Sequence, residues 1–357
     1  MTSAEILTTE GELVRAGSEP ESVSWQQAMR RAIRSSLHLR EQLGLSTSTE
    51  SIPGISLAEA DFPTFVPLEF LARMRPGDPC DPLLVQVLAA PEENREVAGF
   101  TSDPVGDGPA RIAAGLLQKY HGRALAMPTG VCGVHCRYCF RRQFDYSDTA
   151  DSTDPATDNM RPAWEPMIER LRESPEIDEV ILSGGDPLTL SDGKLDRLLT
   201  AIESVPHVRR LRVHSRMPIV IPQRVTTELT TRLRSSRLTA WMVVHCNHPQ
   251  EIDTAVELAV GRLVDAGIPV LNQAVLLAGV NDDAEVLESL CRRWVDLRVQ
   301  PYYLHQLDRV AGAAHFEVPL QRGRELIAAL RDRLPGYAVP TYVTEVADAA
   351  AKVPNGF

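Results

Sequence analysis

From Arg123 onward the chain alternates short apolar runs with longer amphipathic stretches, a pattern that predicts a parallel sheet with helical crossovers. Strand candidates are 123–127, 179–183, 209–214, 240–245, 268–274 and 299–304. Helix-period segments lie between and after them, near 163–173, 192–204, 225–235, 250–266, 282–296 and 319–333, with Gly267 as a stop signal just past one of them. Six strand–helix units are too few for a closed eightfold barrel and fit an open partial barrel or a doubly wound sheet. A seventh apolar run, 337–346, leads into a short tail. Upstream, residues 1–60 read as a polar, helical appendage with an apolar face on an Arg-rich helix over 25–43, and 62–109 mixes Pro-rich turns with short apolar pieces. The expected division is an N-terminal helical region over 1–110, a barrel core over 111–335, and a closing strand and tail over 336–357.

In such a barrel the chemistry sits at the C-terminal ends of the strands. The polar residues there are Ser183 to Asp186, His214 to Arg216, His245, Asn272 and Gln273, His305 with Asp308, and Glu345.

Composition narrows the function. The 357 residues carry 37 basic and 48 acidic side chains, a formal charge of −11, with no basic block, which argues against a nucleic-acid partner. No run approaches the ~18 apolar residues of a membrane span, and the acidic first residues lack the features of an export signal, so a cytoplasmic protein without a membrane partner is expected. Only Lys119, Lys194 and Lys352 break an otherwise all-Arg basic set, so surface charge is expected to be written in Arg. Each Lys is therefore a candidate for work that Arg cannot do, because a desolvated Lys can lose its proton and form a Schiff base.

Of six cysteines, Cys80, Cys246 and Cys291 are scattered and expected to be buried and inert. Cys132, Cys136 and Cys139 crowd into one loop after the first strand candidate and can share one inorganic centre. Zinc would want a fourth ligand, for which His135 is poorly placed beside Cys136. A thioredoxin-like pair would not need Cys132. Three thiolates at this spacing suggest a [4Fe–4S] cluster with one iron left open; a non-catalytic zinc- or cluster-binding module is the alternative.

The CxxxCxxC loop, with an aromatic before its last Cys, resembles the radical S-adenosylmethionine superfamily. That resemblance implies a cluster whose open iron holds S-adenosylmethionine, and a glycine-rich turn, here Ser183-Gly184-Gly185-Asp186, at the methionyl amine. Lys352, just past the last strand candidate, is a candidate Schiff-base lysine for pyridoxal 5′-phosphate, and Lys119 and Arg123 supply cations for its phosphate.

From about Asp78 to Pro354 the chain is similar to the lysine 2,3-aminomutase family, most closely in LLQKYHGRAL, CGVHCRYCFRR, LSGGDPL, HSRMPIVIPQR, LNQAVLLAGVND and PYYLHQLDRVAGAAHF. Its wording is nearest to the branch that serves β-lysylation of elongation factor P. The resemblance implies a partial (β/α)6 TIM-like barrel of α/β class with an N-terminal helical extension and a C-terminal segment closing the mouth. It puts the cluster on Cys132, Cys136 and Cys139, pyridoxal phosphate on Lys352, and its phosphate among Lys119, Tyr120 and Arg123. Arg141 would clamp the substrate carboxylate; Asp308 and Glu345 would meet the ε-ammonium. Ser183, Gly184, Gly185, Asp186, Arg216, His245 and Gln273 would line the S-adenosylmethionine site. The implied reaction is L-lysine to β-lysine, with a functional link to elongation factor P and its lysyl ligase, and a homo-oligomer is compatible with it. Arginine as substrate, a stand-alone lysine enzyme, and a radical enzyme without pyridoxal are the alternatives. The chain departs from the stand-alone pattern in an Ala-rich run over 347–351 in place of glycines and in Glu345 for Asp, and the zinc site and oligomer of the stand-alone enzymes' cysteine-bearing tail are not expected of it.

Overall fold

The computed structural model describes residues 23–46, 52–149, 152–153 and 160–356. Its main sheet opens with an antiparallel meander, β1 (Arg111–Ala113), β2 (Leu116–Tyr120) and β3 (Arg123–Ala126). A separate two-stranded ribbon, β4 (Ser152–Thr153) and β5 (Met160–Arg161), follows. From β3 the sheet continues in parallel through β6 (Glu179–Leu182), β7 (Arg210–Ser215), β8 (Thr239–His245), β9 (Val270–Val275), β10 (Gln300–His305) and β11 (Thr341–Thr344). A last strand, β12 (Val353–Pro354), pairs antiparallel with β11. Six crossover helices link the seven parallel strands, which is the expected (β/α)6 pattern plus one closing strand. The β1–β2 strands were not among the expected elements.

Strand alternation sorts side chains by face. In β7, Leu211 and Val213 are buried in the apolar core under the helices, while Arg212 and His214 line the barrel interior. Four crossover helices start where an oxygen-bearing side chain caps them: Ser191, Thr226, Asp253 and Asp283 each accept a bond from a backbone N–H in the first turn. Gly267, at φ 78°, ends the helix Thr254–Asp265 as expected.

Two expectations need correction. The helix expected over 25–43 is two, Trp25–Arg31 and Ser36–Gln42. Ser35 caps the second, and Ile33 between them exchanges backbone hydrogen bonds of 2.8 and 2.9 Å with Val66. Trp25, Ala28, Leu39 and Phe70 belong to the same apolar cluster as the crossover helices, so this region is part of the barrel's core rather than an appendage. Besides carrying surface charge, Arg enters the interior: Arg137, Arg141, Arg142, Arg216 and Arg224 are buried. No helix among the described residues is long and apolar enough to cross a membrane.

Candidate active site

A cavity of about 570 Å³ opens at the C-terminal ends of the parallel strands, and every residue given a cluster, cofactor or substrate role above lines it, whereas Lys194 and Asn272 do not. The three clustered thiols are half-buried and unbridged, on the loop that follows β3. Of the scattered cysteines, Cys246 and Cys291 are buried as expected; Cys80 is exposed, in a Pro- and Gly-rich turn where its N–H donates to Asp78 (2.9 Å). Burial, then the charges of Cys139, Asp186 and Cys136, pushes the Cys132 thiol up, and burial with Cys136 pushes Cys139 to about 11. Thiols crowded this way are relieved by a shared cation. Among the described residues no trio of His, Cys, Asp or Glu closes on a single metal point. A cluster asks less, since each thiolate bonds a different iron, so a loop facing one cavity fits it. The His135 Nδ1 lies 2.7 Å from the Pro63 carbonyl and its ring stacks on Phe62.

The loop is held from both sides. Gly184 has φ 102°, and a Cβ on Gly185 would lie 2.5 Å from the Val131 carbonyl oxygen, so both glycines are needed where the β6 turn meets the start of the cysteine loop. There the Gly185 and Asp186 N–H groups donate to the Thr129 and Val131 carbonyls (2.9 and 2.7 Å). The Asp186 carboxylate is spent on the fold, accepting from Ser215 Oγ and from the N–H groups of Arg216, Met217 and Leu188. On the opposite side the buried Glu93, in the turn Pro91–Asn94, receives Arg137 (2.8 Å) and pairs with Arg142 (2.8 Å).

Arg216 reaches across to the loop. Its guanidinium donates to Cys136 Sγ (2.8 Å), Tyr138 Oη (2.9 Å), Gln86 Oε1 (2.9 Å) and Glu251 Oε2 (3.0 Å). Because Tyr138 Oη already accepts from Arg216 and Asn247, its own proton is left for Gln86 Oε1 (3.4 Å) or, by the shorter contact, His245 Nε2 (2.8 Å). Burial and the Arg216 charge hold His245 neutral, as that bond requires. Gln273 lines the adjoining wall on β9, whereas its neighbour Asn272 turns away to bond the Cys246 backbone.

The far side of the cavity collects the remaining charges. The register of β11 and β12 sets Thr344 against Val353, so Glu345 and Lys352 meet across the intervening loop as an ion pair. Lys119 pairs with Glu345 (3.2 Å) and with Asp107 (2.6 Å). Burial works to raise Glu345, but Lys352 and Lys119 outweigh it and bring the carboxyl to about 2. Asp308, half-buried nearby, is pushed up to about 7 by desolvation and by the Glu345 charge. Tyr120 and Arg123 sit in the β2–β3 hairpin, the guanidinium 4.9 Å from the ring centre. Arg141 donates from Nε to Asp107 (2.6 Å) and from Nη1 to Ser183 Oγ (3.4 Å). His214 Nε2, buried at the cavity wall, has no protein partner, and burial, aided by Arg212 and Lys352, keeps the ring neutral. A lysine amine, cations for a phosphate and an unpartnered imidazole nitrogen in one pocket fit pyridoxal phosphate. Asp107, Glu93, Gln86 and Glu251 were not singled out by sequence reasoning, and His214 and Tyr138 were noted, as a strand-end residue and as the motif's aromatic, without a role of their own.

A three-thiol CxxxCxxC loop at the mouth of a parallel α/β partial barrel defines a radical S-adenosylmethionine enzyme. No protein-family model matches the chain. It is 39% identical over 335 residues to L-lysine 2,3-aminomutase of Escherichia coli, spanning 94% of this chain and 95% of that one. It is 40% identical to the Haemophilus influenzae enzyme of the same name over 79% of this chain and 81% of the relative, and 33% identical to that of Clostridium subterminale over 96% and 80%. The chain belongs to the lysine 2,3-aminomutase family, a family of isomerases. Among solved structures, a radical SAM methyltransferase from Sphaerobacter thermophilus overlaps with a TM-score of 0.47 at 19% identity (66% of this chain, 71% of that one). Streptococcus suis SuiB bound to S-adenosylmethionine overlaps at 0.45 and 16% (64% and 48%). The family assignment rests on the sequence relatives.

Proposed function

We propose that the protein converts L-lysine to β-lysine, using a [4Fe–4S] cluster, S-adenosylmethionine and pyridoxal 5′-phosphate. The observation that carries this reading is the meeting, in one cavity, of the three-thiol loop with Lys352, Glu345 and Asp308. When bound, the three groups supply the electron, the hydrogen-abstracting radical and the carbonyl that holds the migrating nitrogen.

The chain's own residues bind and orient. Cys132, Cys136 and Cys139 hold the cluster, and Arg216 sets a positive charge against one of its sulfurs. Ser183, Gly184 and Gly185, with His245 and Gln273 opposite, flank the S-adenosylmethionine side; Asp186 serves it by bracing the turn. Lys352 supplies the amine for the pyridoxal aldehyde, while Lys119, Tyr120 and Arg123 take the phosphate. Arg141 offers its Nη end to the α-carboxylate. Asp308 and Glu345 receive the ε-ammonium, whose arrival favours the ionised form of Asp308. Two carboxylates at this end suit a basic amino acid. The implied link to elongation factor P follows the sequence resemblance alone. The reading also calls for a reducing compartment, in which the three thiols stay unoxidised.

Anaerobic incubation of reconstituted protein with dithionite, S-adenosylmethionine, pyridoxal phosphate and lysine should give β-lysine by mass spectrometry. Lys352→Ala should bind iron normally yet lose the visible band of bound pyridoxal phosphate. Iron-loaded, pyridoxal-loaded protein that makes no β-lysine overturns the reaction, and β-arginine alone from an equimolar mixture overturns the substrate.

A further inference from the structure

Asp107 is 1% exposed and lies between two groups given separate tasks above. One carboxylate oxygen is 2.6 Å from Lys119 Nζ, on the phosphate side; the other accepts from Arg141 Nε at 2.6 Å, on the substrate side. The two cations outweigh burial and hold its carboxyl below the usual range, so it is an anion at any working pH. The chain invests in placing it. Asp103 accepts from the Asp107 and Gly108 N–H groups (2.8 and 2.9 Å), and the Val105 carbonyl accepts from Lys119 (2.8 Å). Thr101, at the loop's start, is bonded to Arg309 and Ala311, on either side of Val310 and next to Asp308.

We infer that Asp107 is the positioning residue that makes the site select a substrate with a free α-carboxylate; this rests on the proposed function. Holding Arg141 by Nε turns its Nη1–Nη2 edge to the cavity, with only a long bond from Nη1 to Ser183 Oγ (3.4 Å) to be exchanged for a ligand, and that planar fork matches a carboxylate and not a carboxamide. Neutralising Lys119 with the other oxygen keeps a second cation from competing for that carboxylate. Without the anion, two neighbouring cations repel and the fork loses its fixed direction.

The test compares binding of lysine and lysinamide to pyridoxal-loaded protein without reductant or S-adenosylmethionine, in wild type, Asp107→Asn and Asp103→Ala. Asp107→Asn keeps an oxygen for Arg141 but not the charge. It should bind lysine about tenfold more weakly or worse, as expected for a charged hydrogen bond, while lysinamide changes little, so the preference collapses. Asp103→Ala should lose part of the preference with the Asp107 charge intact. Under turnover, Asp107→Asn should raise KM for lysine more than it lowers kcat. Equal weakening of both ligands, or an unchanged preference, overturns the inference. Wild type that shows no preference overturns the substrate reading as well, and the two failures are told apart by the wild-type measurement alone.

Discussion

Asp308 and Glu345 show how neighbouring carboxyls part company. Asp308, pushed up to about 7, keeps its proton where an unfolded Asp has lost it. Between about pH 4 and 7 the folded protein therefore holds more protons than the unfolded one, and this group's contribution makes stability fall as pH rises through that window. Cofactor-free wild type should lose more of its melting temperature from about pH 5 to 8 than Asp308→Asn, measured by differential scanning calorimetry. The same substitution should raise KM for lysine, the cost of a site stabilised at the expense of its task. Glu345 behaves oppositely: held near 2 by Lys352 and Lys119 against burial, it stabilises the fold above the ordinary Glu range, and that contribution is lost only as pH falls toward 2.

At the scale of elements, the turn Pro91–Asn94 clamps the cysteine loop through one side chain. Glu93→Gln leaves Arg137 and Arg142 short of a buried counter-charge, a change worth about 3–5 kcal/mol when such a pair is broken. The variant should retain far-UV circular dichroism but take up less iron on reconstitution; full iron uptake would show that the loop holds its shape unaided. This clamp was invisible in the sequence because Glu93 meets Arg137 across 44 positions with no periodic signal. The parallel strands were legible, since buried strands such as Met242 to Val244 read as unbroken apolar runs. Thiols, lysines and strand-end carboxylates were legible as rare types at informative places. The β2 half of the β2–β3 hairpin was not: Leu116–Tyr120 mixes two apolar with two polar residues and a Tyr, and its Lys119 drew attention as charge rather than as strand, whereas β3 was anticipated over 123–127. The break in the 25–43 helix was hidden because Ala32 and Ile33 continue the apolar face, while tertiary pairing with Val66 decides the backbone.

For the molecule as a whole, the seven parallel strands form an open wall whose last neighbour, β12, carries the residue after Lys352. Beyond that two-residue ladder, Asn355 secures the tail: its N–H donates to Tyr342 (2.8 Å), its side chain accepts from Thr344 (2.9 Å), and its carbonyl accepts from Arg324 (2.8 Å). Asn355→Ala should leave the melting temperature within about 1 kcal/mol of wild type in stability terms, as one lost side-chain bond allows, yet weaken retention of pyridoxal phosphate on gel filtration. Unchanged retention would mean the amine is held by its Glu345 contact alone.

So short a fastening can fray while the barrel stays intact. On the proposed function, a preparation trimmed back past Lys352 would look healthy by every bulk probe of folding and still make no β-lysine.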